Sequence, residues 1–258
     1  MKLTECALLL LSDVAHSSPA APLLQIVWPV SILLATFLAT NRAMLAGRDV
    51  MEIGAGCGLA GLVAARLGPR RCVITDGEDF CLRTIERTAT CPPPAPPAGA
   101  AAAAAAISPA ASGAAAGAAP EPAPGLGLGA EAACDSAPPA PVEVRNLRWG
   151  DQESIAEYLR DGVRPQLVFG ADIFHPSFGE PAEVFELVEN VFDPSALVIE
   201  FVCGYVDRNN KEQVLAAARA RGFSWRNVDP RSFLPDGQRV EEMSVKRLEL
   251  IVFDKRRA

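Results

Sequence analysis

The stretch Asp49-Val50-Met51-Glu52-Ile53-Gly54-Ala55-Gly56-Cys57-Gly58-Leu59-Ala60-Gly61 constrains this chain more than any other. A short branched apolar run, Val50 to Ile53, reads as a buried parallel strand, and the glycines after it give way to a helical stretch from Leu62 to Leu67. Strand, tight turn and helix in that order place unpaired N–H groups at the helix start, beside glycines that let a ligand approach bare backbone. The expected guest is a nucleotide-like cofactor.

Two cofactor spellings overlap here. Gly56, Gly58 and Gly61 satisfy the dinucleotide pattern G-x-G-x-x-G, while Glu52, Gly54, Gly56 and Gly58 spell E-x-G-x-G-x-G. Asp76 follows Gly56 by 20 residues, at the end of the next apolar run, Cys72 to Thr75, where a carboxylate can accept hydrogen bonds from ribose hydroxyls. NAD and S-adenosylmethionine both carry that ribose, so the glycines leave both open.

Composition narrows the class. With 258 residues, 50% hydrophobic and 21% charged, the chain is of globular type and large enough for one good core. A formal charge of -7 offers no broad field for nucleic acid and suits a basic protein substrate better. The seven cysteines form no C-x-x-C pair and only His16 and His175 are histidines, which excludes a recognisable zinc site, argues against a disulfide framework and favours a reducing compartment. Lys2 followed by Ala7 to Leu11 resembles a weak export signal, but Asp13 and His16 sit badly for one. Pro22, Gln25, Pro29, Ser31 and Thr36 divide the uncharged stretch Ser17 to Asn41, so a globular helix from Pro29 to near Asn41 is expected rather than a membrane span.

Downstream, strands and helices alternate. Asp79 to Thr88 reads as a helix with Phe80, Leu82 and Ile85 inward. From Pro92 to Pro141 the sequence is almost wholly alanine, proline and glycine, with too little large apolar surface to offset ordering entropy; a disordered insertion into a single domain spanning residues 1–258 is expected. Strands are then expected at Val142 to Leu147, Leu167 to Ala171, Ala196 to Phe201, Ser224 to Val228 and Leu248 to Phe253. Helices are expected at Ser154 to Leu159, Glu183 to Phe192 and Lys211 to Arg221. This order predicts an α/β fold with a mostly parallel sheet, helices on both faces and a C-terminal antiparallel hairpin at one edge. Ligands of such sheets bind beyond the carboxyl ends of the strands, which gathers the glycine turn, Asp76, Arg148-Trp149-Gly150 and Ala171 to His175 into one site.

Val27-Trp28-Pro29, Glu52 to Gly58, Thr75-Asp76, Leu147-Arg148-Trp149-Gly150 and Gly170-Ala171-Asp172 together resemble methyltransferase family 16, Rossmann-like seven-β-strand enzymes that use S-adenosylmethionine and mostly methylate protein lysines. The resemblance covers nearly the whole chain outside the insertion. It implies that Glu52, Gly54, Ala55 and Gly56 belong to the cofactor site, that Asp76 holds the ribose and Trp149 flanks the adenine, and that Trp28 and Ala171 wall the pocket. It implies a protein substrate; neither nucleic acid nor a membrane is expected as a partner, and a monomer in the cytoplasm, or in the nucleus as the alternative, is expected.

The family's lysine enzymes carry D-x-x-Y or D-x-x-F after the fourth strand. Here Asp172-Ile173-Phe174-His175 departs from that pattern. Asp172 is expected to orient an amine and Phe174 or His175 to wall the channel, with His175 a candidate proton acceptor. An arginine acceptor would call for two carboxylates, with Asp172 and Glu180 as candidates. Two further readings stand beside these. One is an NAD(P)-dependent oxidoreductase, although neither Tyr158 nor Tyr205 has a lysine four residues on. The other is a non-catalytic module that keeps the fold. The loops expected to meet the substrate are Phe174 to Glu180 and Gly204 to Asn210.

Overall fold

A computed structural model describes residues 27–90, 139–160, 163–234 and 247–257. The N-terminal readings therefore lie outside the described residues, as does nearly all of the Ala/Pro/Gly-rich segment.

The order is α1 (Pro29–Thr40), β1 (Asp49–Glu52), α2 (Leu59–Ala64), β2 (Arg71–Asp76), α3 (Asp79–Thr90), β3 (Val142–Asn146), α4 (Gln152–Arg160), β4 (Leu167–Ala171), α5 (Pro181–Val191), β5 (Val198–Val206), α6 (Lys211–Ala220), β6 (Ser224–Val228) and β7 (Leu248–Arg256). The seven strands form one sheet in the order β3-β2-β1-β4-β5-β7-β6. Strands β1 to β5 run parallel, and β7 inserts antiparallel to both β5 and β6. This is the expected α/β sheet with its antiparallel pair at one edge.

Two apolar cores follow from the two-residue period of the strands. Val50, Cys72, Ile74, Leu167, Phe169 and Val202 face the core shared with α1, α2 and Ile85 of α3. Their neighbours Met51, Val73, Val168, Phe201 and Cys203 face the core shared with α4, α5 and α6. Helix α1 starts at a proline, whose fixed φ suits the first helical position, and buries Leu33, Phe37 and Leu38.

Local differences have physical causes. Helix α2 spans Leu59–Ala64 rather than Leu62 to Leu67, because Gly58 at φ 76° turns the chain directly into the helix. Helix α3 buries Cys81 and Ile85, while Phe80 and Leu82 are only half-buried. Strand β5 continues to Val206, five residues beyond the expected Phe201, because β7 pairs with its entire length. Gly204 thus lies in the strand, where a Cβ would stand 3.0 Å from Val30 Cγ2 and 3.1 Å from Val30 O; its bare backbone lets α1 pack against β5.

Gly61 serves the same purpose under α2. A Cβ there would stand 2.5 Å from Glu52 Oε2 and 2.7 Å from Ile74 Cδ1. Gly61→Ala should therefore cost about 1–3 kcal/mol, the usual range for overpacking a core. A melting curve checks this; an unchanged midpoint would contradict the tight α2–sheet contact.

Candidate functional site

The turn after β1 is built on backbone that only glycine adopts easily. Gly54 (φ 60°), Gly56 (φ 56°) and Gly58 (φ 76°) all lie in the left-handed region. The turn is tied to β2 by Ala55 N–H to Thr75 O at 3.0 Å, while the Thr75 hydroxyl donates to Glu52 O at 2.9 Å. Beneath it the buried Glu52 carboxylate accepts the Gly61 N–H at 2.7 Å. Glu52 thus faces α2 and supports the turn from behind. It does not line the cavity, which corrects its expected place among the cofactor contacts.

Asp76 ends β2 next to this turn. One carboxylate oxygen accepts the Gly56 N–H at 2.8 Å and the other the Glu78 N–H at 2.9 Å. Each oxygen has lone-pair capacity left for a ligand hydroxyl. Burial pushes the Asp76 carboxyl above the usual aspartate range, opposed by those two N–H groups.

A cavity of about 700 Å³ opens over the carboxyl ends of β1, β2, β4 and β5. Gly54, Ala55, Gly56 and Asp76 form its floor, Arg148 and Trp149 one side, and Ala171, Asp172 and His175 the other. Trp28 and Phe178, respectively 39% and 48% exposed, lie at its rim. The Trp149 ring lies so close to Gly54 that a Cβ there would stand 2.7 Å from Cζ2. Of the eleven site residues expected from sequence, nine line this space and two, Glu52 and Phe174, do not.

Phe174 is the second of these. Its ring is buried, stacked on Phe185 with centroids 5.4 Å apart and edge-on to Phe201, Tyr205 and Phe253. It anchors the loop after β4 to the core and walls no channel; Phe178 supplies the aromatic surface instead. His175 does reach the cavity, with its ring 5.0 Å from that of Phe178. Its Nδ1 accepts the Ser177 N–H at 3.1 Å.

Asp172 has a partner that sequence reading missed. Its backbone is left-handed at φ 59°, and its N–H donates to Gly204 O at 2.9 Å. Arg208 grips the carboxylate with two parallel hydrogen bonds, Nη1 to Oδ1 and Nη2 to Oδ2, the latter at 2.6 Å. Asn210 donates to Phe174 O at 2.8 Å and accepts from the Tyr205 hydroxyl at 2.8 Å, locking the loop after β5 onto the loop after β4. Tyr205 is accordingly a buried strand residue, not part of a solvated turn. Glu180, the second carboxylate considered for an arginine acceptor, accepts from Gln213 and caps α5; it does not line the cavity.

The comparisons agree with this arrangement. Residues 9–89 match the family model described as lysine methyltransferase. The histone-arginine methyltransferase METTL23 of Mus musculus is 39% identical over 54 residues, covering 21% of this chain and 21% of that protein. The protein N-lysine methyltransferase METTL21A of Danio rerio is 45% identical over 53 residues, covering 20% and 24%. The electron transfer flavoprotein beta subunit lysine methyltransferase of Danio rerio is 41% identical over 58 residues, covering 22% of each chain. The matched part of this chain thus spans about a fifth to a quarter of the length of these relatives. A Bacillus cereus O-methyltransferase, solved with S-adenosylhomocysteine, shares the fold with a TM-score of 0.51 at 13% identity, over 96% of this chain and 90% of that one.

The fold is Rossmann-like, as in that O-methyltransferase. Within this fold, residues 9–89 are similar to methyltransferase family 16. Among the described residues no helix is long and apolar enough to cross a membrane, and no cluster of histidine, cysteine or carboxylates could hold a metal ion.

Burial raises the Glu52 carboxyl to about 8, against the Gly61 N–H that lowers it, with Asp76 adding to the rise. The folded state then binds more protons than the unfolded chain between about 4.5 and about 8, so this contribution to stability is complete at low pH and lost as pH rises through 8. Melting points of wild type and Glu52→Gln between pH 5 and 8.5 check this. The wild type should lose more stability across that window than the variant; parallel curves would contradict it.

Proposed function

We propose that the protein is an S-adenosylmethionine-dependent protein N-methyltransferase whose acceptor is a lysine side chain. The observation that carries the acceptor class is the Asp172–Arg208 fork. Among the described residues it consumes the one carboxylate on the β4–β5 side of the cavity, and Glu180 is engaged elsewhere, so no pair of described carboxylates there suits a planar guanidinium. The names of the Danio rerio relatives, protein N-lysine methyltransferase and electron transfer flavoprotein beta subunit lysine methyltransferase, support the same reading.

The residues fit the cofactor. Asp76 offers acceptors to a ribose diol, Trp149 a flat face to the adenine, and Gly54, Ala55 and Gly56 a backbone that can be approached closely. Ala171 and Trp28 wall the methionine end. When bound, S-adenosylmethionine supplies a methyl group on a positively charged sulfur, open to in-line attack. The protein's task is then alignment and exclusion of water. Trp28 and Phe178 flank the aliphatic stem of the acceptor, and His175 acts as a wall. The acceptor is a protein, and the recognising loops are His175 to Glu180 and Asp207 to Asn210.

A second reading, an arginine acceptor, draws on the METTL23 relatives and on the fork itself, since Asp172 already receives a guanidinium. Transfer of labelled methyl groups to proteins of a cell extract, followed by acid hydrolysis, separates the two: methyl-lysine supports the first, methyl-arginine the second. Labelling by the wild type should survive His175→Phe within a fewfold, because an aromatic wall is retained; loss of a hundredfold or more would restore a proton-transfer role.

Asp76→Ala and Gly54→Ala should each weaken S-adenosylmethionine binding at least tenfold by calorimetry. The first removes the diol acceptor and the second drives a methyl group into the Trp149 ring. Because burial raises the Asp76 carboxyl, wild-type binding should weaken on acidification earlier than an ordinary aspartate would dictate. Unaltered affinity in both variants would remove the cofactor from this cavity.

A further inference from the structure

Methyl transfer to lysine needs the amine's lone pair, but lysine carries a proton at neutral pH, with an ordinary pKa near 10.4. The Nδ1 lone pair of His175 is engaged by the Ser177 N–H. An unpaired carboxylate in the channel would make matters worse, since it would bind the ammonium form and hold it there. Asp172 is the carboxylate in that position, and it is not unpaired.

We propose that Arg208 is a specificity-determining residue: by holding both oxygens of Asp172 it bars a cationic side chain from that carboxylate and admits the acceptor lysine as its neutral amine. This rests on the lysine reading above. The geometry has three supports. The fork is bidentate, and the two side chains are only 25% and 13% exposed, so water screens it weakly. Arg208 is held on a loop fixed by the Tyr205–Asn210–Phe174 hydrogen bonds. Asp172 is held by its left-handed backbone and its bond to Gly204. Neither partner needs substrate to find its place.

Among the described residues, the surrounding charges leave the task to this pair. His175 stands on the same loop as Asp172, Cys203 lies beneath with its thiol pushed upward by burial and by Asp172, and Asp207 beside Arg208 is 3.8 Å from Arg247. Helix α1 brings Trp28 and Ser31, neither charged. Asp76, Glu78 and Arg148 belong to the ends of β2 and β3, on the far side of β1. The proton of the incoming ammonium is therefore given up to water before the amine enters, and the neutral amine meets the guanidinium without an opposing cost.

Binding of n-hexylamine to the protein saturated with S-adenosylhomocysteine, followed by NMR at pH 7 and pH 9, tests this without a known substrate. In the wild type affinity should rise by about a hundredfold between the two, as the neutral fraction of the amine does. Arg208→Gln frees Asp172 and should bind the ammonium at least tenfold more tightly than wild type at pH 7, with the pH dependence flattened. Asp172→Asn added to Arg208→Gln should restore weak, pH-dependent binding. Arg208→Lys keeps the charge but holds one oxygen only. It should show the same reversal in smaller measure, and serves if the glutamine variant does not fold. Equal pH slopes in wild type and variants would overturn the proposal, as would tight, pH-independent binding of n-hexylguanidinium to the wild type. Failure of the wild type to bind S-adenosylhomocysteine would overturn the methyltransferase reading itself, which separates the two failures.

Discussion

The turn between β1 and α2 is the constraint on which the rest of the structure depends. Three left-handed backbones within five residues bring the chain from the centre of the sheet directly into a helix, and each has to be glycine to avoid strain. The turn stays in place because buried groups hold it from two sides. Glu52 and the Gly61 N–H fasten the strand to the helix behind it, and Asp76 fastens Gly56 from the neighbouring strand. A buried carboxylate that bonds backbone N–H groups is costly to ionise but more costly to leave unpaired. Glu52 therefore works as an internal strut, and its position in the sequence motif reflects support of the cofactor loop rather than contact with a ligand.

The second half of the cavity uses different means. Where β1 and β2 present backbone and one carboxylate, β4 and β5 present two interlocked loops, one anchored through the Phe174 ring in an aromatic cluster and the other through Tyr205 and Asn210. The β1–β2 side thus rests on main-chain conformation, and the β4–β5 side on side-chain packing and an ion pair. This division suits a fold in which one side must recognise a fixed molecule and the other can be altered to suit a substrate.

Legibility in the sequence follows the same division. The strands, the glycine turn and Asp76 were readable because strand period, glycine spacing and the offset of 20 residues are local signals. Trp28, Trp149 and Ala171 were placed through resemblance, and all reach the cavity. Phe174 and His175 were harder, because at a strand end the direction of a side chain is set by how the loop docks. Phe174 turned inward to four other rings, and His175 spent its Nδ1 on Ser177. Arg208 was out of reach: it lies 36 residues from Asp172, and only the parallel pairing of β4 with β5 brings the two together. Strand β5 was cut short for a related reason, since its extension to Val206 depends on β7, more than forty residues later.

The central claim is that this cavity binds S-adenosylmethionine, and the most direct measurement is calorimetry of the wild-type protein with S-adenosylmethionine and NAD in parallel. One-site binding of S-adenosylmethionine with no heat from NAD is the predicted result. Binding of NAD alone would contradict the claim and return the glycine turn to its dinucleotide reading.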